Sequence, residues 1–164
     1  MPKSDPTVLK EVTVNLPFGI GGATWRADET ERRAAWELYV ELVTRIAVQS
    51  LQPQEGLVRE AMNSLYSLFS STREILRRAG PKVGASHDSV GGIAITVLNN
   101  GLRPFLSKWY PLLQEWEEKK PNDVSPQVHE KNWEQEMVVR GELDALRADL
   151  EKYANALAVI AGVK

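Results

Sequence analysis

The sequence predicts an all-α protein: an antiparallel four-helix bundle, up-down-up-down, with an extended N-terminal arm or short strand and a proline-kinked third helix. Three observations predict it. Gly91, Ile95, Leu98, Leu102, Phe105, Trp109, Leu112 and Trp116 recur at steps of four and three. Val139, Leu143, Leu146, Leu150, Tyr153, Leu157 and Ile160 do the same. Such steps bracket the 3.6-residue turn and gather side chains on one helix face. Capping and breaking residues then divide the chain into four long helices with short connections, which return antiparallel.

Residues 1–27 form the arm and residues 28–164 the bundle. In the arm, Val8, Val12, Val14 and Leu16 alternate with Leu9, Glu11, Thr13 and Asn15, a period-two strand signal. Pro17 to Gly22 is loop chemistry. A lone strand leaves its backbone groups unpaired, so this one pairs with another chain or lies over the bundle. The glycines fit no nucleotide-binding fingerprint, because no Gly-Lys-Ser/Thr follows.

Helix one is expected from Asp28, a good N-cap, to about Leu51. Its main stripe is Trp36, Tyr39, Val40, Val43, Ile46 and Ala47; Ala35, Leu38 and Leu42 widen it toward a second neighbour. Pro53 ends it. Helix two spans about Glu55 to Ala79 and stops at Gly80-Pro81. Helix three is capped by Ser86 or Asp88, and Gly91-Gly92 suggests close approach of another backbone. Pro104 and Pro111 remove two helical N–H donors from it. They imply either a curved helix with its prolines facing solvent or a break near Asn99-Asn100-Gly101. Ser125-Pro126 starts helix four, which reaches Ala161; its apolar register fails before Val139.

The chain has 164 residues, 43% hydrophobic and 26% charged, as in a single soluble domain. A net charge of -2 gives no global attraction to nucleic acid or acidic membranes. No cysteine is present, which excludes disulfides and thiolate chemistry. No uninterrupted apolar run approaches the ~18 residues of a membrane span. A cytoplasmic location is expected.

The candidate chemistry is sparse. His129, Glu130 and Glu134 come nearest to a metal site, but the Glu-x-x-His pairs of di-metal bundles are missing. No metal and no cofactor are therefore expected. Ser86-His87-Asp88 names the residue types of a hydrolase triad, yet triads assemble in space and not from consecutive residues. Arg73, Arg77, Arg78 and Lys82 form a basic patch at the end of helix two, where cations suit the helix dipole. Trp109, Tyr110, Trp116 and Trp133 cluster around the end of helix three.

These features favour a non-catalytic helical module acting through protein contacts, as a homo-oligomer or an accessory subunit. Val12, Val14, Phe18, Tyr110 and Trp133 are its candidate contact residues. Two alternatives remain. One is a bundle with a ligand or metal in its core; the other is a nucleic-acid-binding bundle using the basic patch.

Overall fold

The computed structural model describes residues 11–45 and 55–163. It is mostly helical, with a small antiparallel sheet of two strands. The strands are β1 (Glu11–Leu16) and β2 (Gly21–Arg26). The helices are α1 (Glu29–Val43), α2 (Val58–Ala79), α3 (Val90–Thr96), α4 (Arg103–Glu118), α5 (Pro126–Lys131) and α6 (Glu136–Ala161). A π segment, Val97–Leu102, joins α3 to α4. Val8 and Leu9 of the predicted strand, and Ile46, Ala47 and Pro53 beyond α1, lie outside the described residues. Among the described residues no helix is long and apolar enough to cross a membrane.

The predicted strand finds its partner inside the chain. β1 pairs with β2 from Glu11↔Arg26 to Leu16↔Gly21, so the fold is not purely helical. The reversal is tight: Phe18 (φ 58) and Gly19 (φ 74) are both left-handed, and Ile20 N–H donates to the Pro17 carbonyl. Positive φ at both central positions matches the twist of a hairpin. The period-two pattern then buries Val14 and Leu16 against α6, with Trp25 buried on the same face of the hairpin, while Glu11, Thr13 and Asn15 face water. This strand therefore leaves less unpaired backbone than the sequence implied.

Helix ends follow local chemistry. Asp28 accepts from Glu31 N–H at 2.8 Å, and Ser125 accepts from Val128 N–H. The cap of α3 is Ser89, not Ser86 or Asp88; its hydroxyl accepts from Gly92 N–H at 3.0 Å. Glu31, in the first turn of α1, accepts the Trp25 indole N–H at 2.7 Å, tying the hairpin to α1.

The face of α1 is also corrected. Ala34, Ala35, Leu38 and Leu42 are buried, whereas Trp36 is 45% exposed and Val40 37%. Two apolar stripes compete here, and α1 packs chiefly on α6. Alanines let two backbones approach closely, so the stripe with Ala34 and Ala35 goes inward. Trp36 and Tyr39 stack on each other on the outer side.

The third helix departs most from its pattern. Arg103 N–H reaches back five residues to the Leu98 carbonyl, and Pro104 directly after it has no N–H. The wide turn adds one residue. The buried face therefore runs Val90, Ala94, Val97, Gly101 and then restarts one step later as Leu102, Phe105, Trp109, Leu113. Ile95 and Leu112 of the predicted seam end up 48% and 41% exposed. Pro104 and Pro111 both face solvent. At Gly101 a methyl group would sit 2.6 Å from the Phe18 ring, so the tip of the hairpin rests directly on the π segment.

The fourth helix is broken. After α5 the chain turns at 132–135, and α6 then keeps its seam: every predicted position from Val139 to Ile160 is buried. The break turns Trp133 inward, edge-on to Trp109 at 6.0 Å, which explains the register failure before Val139.

One core group lacks a partner. The Tyr153 hydroxyl is fully buried, makes no hydrogen bond among the described residues, and burial pushes its pKa up. A buried hydroxyl without a partner costs about 1–3 kcal/mol. Tyr153→Phe should therefore raise the unfolding free energy by about 1 kcal/mol in urea denaturation. A fall would show that the hydroxyl is satisfied after all.

Candidate functional site

The candidate site grows out of the seam between α2 and α4. These helices run antiparallel, as two side-chain pairs establish. At one end Arg59 grips Glu117 with two of its three guanidinium nitrogens, Nε at 3.1 and Nη2 at 2.5 Å. At the other, the Arg103 guanidinium lies 5.1 Å from the centre of the Phe69 ring. Between them Tyr66 meets Tyr110 edge to face at 4.9 Å, and Arg59 covers the Tyr110 ring at 4.3 Å. The result is a ladder: Arg103, Phe69, Tyr66, Tyr110, Arg59, Glu117. Three of its contacts, Arg103 on Phe69, Tyr66 on Tyr110 and Arg59 on Tyr110, set a cation or an edge against a π face, the geometry that the ring quadrupole favours.

The ladder leads into a groove of about 210 Å3. Leu57, Leu113, Trp116 and Pro126 supply its apolar surface; Arg59, Glu117, Lys120, His129 and Glu130 supply the polar part. Trp116 on α4 and His129 on α5 stack face to face, 4.3 Å apart and 4° from parallel. They are bonded reciprocally. The Trp116 indole N–H donates to the His129 carbonyl at 2.8 Å, and His129 Nε2 lies 2.6 Å from the Trp116 carbonyl, so that nitrogen carries the hydrogen. This clamp holds the short helix α5 against the end of α4. On the far side of Trp116 a second groove, about 410 Å3, runs between Leu112 and Trp133.

Glu130 is 5% exposed and caps a helix that is not its own. Its Oε1 accepts Val58 N–H at 2.8 Å, at the start of α2, where Leu57 has no side chain that could cap. An anion suits that end of the helix dipole. Burial raises the pKa of Glu130; the N–H groups of Val58 and Arg59 and the Arg140 charge oppose the rise. Arg140 lies 3.5 Å from Glu130 and 2.8 Å from Glu136, and it donates to the Gly56 carbonyl at 3.0 Å. Hence the groups nearest the groove that could move a proton, His129 and Glu130, are bonded to the chain itself. No cluster of three or more metal-ligating side chains exists among the described residues.

Of the residues singled out by sequence, Tyr110 lies in the ladder. Val14 and Trp133 are buried, Val12 is half-buried opposite Trp25, and Phe18 rests on Gly101. The four cations of the basic patch do not act together. Arg78 pairs with Glu37 at 2.7 Å and Lys82 with Asp28 at 3.7 Å, while Arg73 and Arg77 stand exposed on α2. Arg59 and Tyr66 escaped the sequence reading, and Glu130, singled out there as a possible metal ligand, instead caps α2. Arg59, Tyr66 and Arg73 recur every seven residues, a signal that was legible; the burial of Glu130 carries none. Comparison with family models, with curated proteins and with solved structures returns no match for this chain.

Proposed function

We propose that this chain is a non-catalytic helical module that binds a protein partner through the α2–α4 ladder and the groove beside Trp116. One observation carries the reading: the groove is apolar and open, while its titratable groups are engaged in holding the fold. Such a site can bury a partner's side chain but has no uncommitted proton carrier. Tyrosine, tryptophan and arginine, the residue types of the ladder and groove, dominate binding energy at protein interfaces. We also read the long helices as an up-down-up-down bundle with the hairpin laid over it. Pairs Arg78–Glu37 and Arg59–Glu117 fit antiparallel α1/α2 and α2/α4 packing.

The test is site-specific photocrosslinking in cells that express the protein. A photoreactive phenylalanine analogue at Tyr110 or at Pro126 should yield a discrete protein adduct. The same analogue at Lys152, exposed on α6, should not. Equal labelling at all three positions, or none at any, would defeat the reading. An adduct of twice the chain's own mass would identify the partner as a second copy.

A further inference from the structure

We infer that the partner segment taken up by this surface is acidic and carries one large apolar anchor residue. The inference rests on the reading of the groove as a protein site. Steps of seven and four place Arg59, Tyr66, Arg73 and Arg77 along one line of α2. Their exposure agrees: Tyr66 is 45% exposed, and Arg73 and Arg77 face water. Arg103 of α4 lies over Phe69, one turn from Arg73, and among the described residues its hydrogen bond goes to the neutral Asn99 amide, at 3.2 Å.

The charges do not cancel. Glu117 is taken by Arg59, and Glu74 is the acid that remains alongside Arg73 and Arg77. Arg73, Arg77 and Arg103 have no carboxylate within ion-pair distance among the described residues. A chain of net charge -2 thus concentrates unpaired arginine on one face. Arginine offers a planar fork of donors that matches carboxylates in pairs. The line from Arg59 to Arg77 is roughly 27 Å long at 1.5 Å per residue. At its Arg59 end lies the apolar groove of about 210 Å3, which fits a leucine, phenylalanine or tryptophan side chain.

Nucleic acid would use the same cations but fits the rest less well. Tyr110 and Phe69 each already carry a guanidinium against the ring, so neither is an open platform for a base. The cations that line the groove, Arg59 and Lys120, are already bonded, to Glu117 and to the Pro121 and Val124 carbonyls, where a phosphate would need donors of its own.

The experiment is selection of random peptides displayed on phage against the folded chain. Enriched peptides should be net negative with one large apolar residue. Their affinity should fall about tenfold or more for the double variant Arg73→Glu, Arg77→Glu, and should weaken with added salt. Circular dichroism must show the variant folded as the wild type is. Three results would overturn the inference: no enrichment, enriched peptides that are neutral or basic, or poly(dT) binding tighter than any peptide. Pro126→Glu separates this inference from the reading beneath it, since proline there is exposed at the first turn of α5. Neutral peptides that Pro126→Glu blocks would sink the acidic segment and leave the groove standing. Peptides indifferent to Pro126→Glu would sink both.

Discussion

Replacing Arg140 with methionine should lower the unfolding free energy by about 3–5 kcal/mol near neutral pH, the usual cost of leaving a buried charge without its partner. Arg140 stands between Glu130 and Glu136, with side-chain exposures of 21%, 6% and 16% respectively. Methionine keeps much of the volume but removes the charge and the donors to the Gly56 carbonyl. The pH dependence should carry a signature. Burial already holds the pKa of Glu130 above its ordinary value of 4.5, against the pull of Arg140. Without that pull it should rise further. A folded-state pKa above the unfolded one favours the protonated carboxyl, so this contribution is fully present below pH 4.5 and is lost as pH rises through the folded value. The gap between variant and wild type should therefore narrow on acidification and be widest at neutral pH. Adding Glu130→Gln to the variant should remove most of the pH dependence. Denaturant melts across a pH series measure all of this. A gap independent of pH would mean that Arg140 matters for packing and not for the charge on Glu130.

Gly92→Ala should destabilise the fold by about 2 kcal/mol, although helix propensity alone favours alanine over glycine by about 1 kcal/mol. A methyl group at Gly92 falls on the Ser86 carbonyl oxygen and 2.9 Å from that of His87. Both are backbone atoms of the loop whose Ser89 caps the same helix, so neither can swing aside. Gly141 provides the contrast. It is exposed within α6, and nothing lies within 4 Å of where its methyl would be. Gly141→Ala should raise stability by about 1 kcal/mol. Thermal melts of the two variants should move in opposite directions. A stabilised Gly92→Ala would mean that the loop carbonyls yield to the added methyl at little cost.

The ladder on α2 was half legible in sequence, and the half that was missed is instructive. The spacing of Arg59, Tyr66 and Arg73 depends on helix geometry alone, so it could be read without coordinates. Which ring each arginine covers depends on α4 lying antiparallel beside α2, and no local pattern encodes that. The basic patch meets the same limit. Arg73, Arg77, Arg78 and Lys82 are neighbours in sequence, but Glu37 and Asp28 on the preceding segment claim two of them.

Taken alone, the residue order determined whatever depends on a few neighbouring positions. That includes the caps Asp28 and Ser125, the period-two strand, the helical identity of most of the chain, and the α6 seam from Val139 to Ile160. Tertiary structure decided the choices between locally equivalent options. Small alanines against α6 turned Trp36 outward. A five-residue turn ahead of Pro104 shifted the buried face by one residue and exposed Ile95. The start of α2, which has no cap of its own, received one from Glu130, 72 residues away. The physical reason is common to all three. Periodicity fixes which side chains share a face, but burial is a property of the surface that meets that face, and that surface comes from elsewhere in the chain.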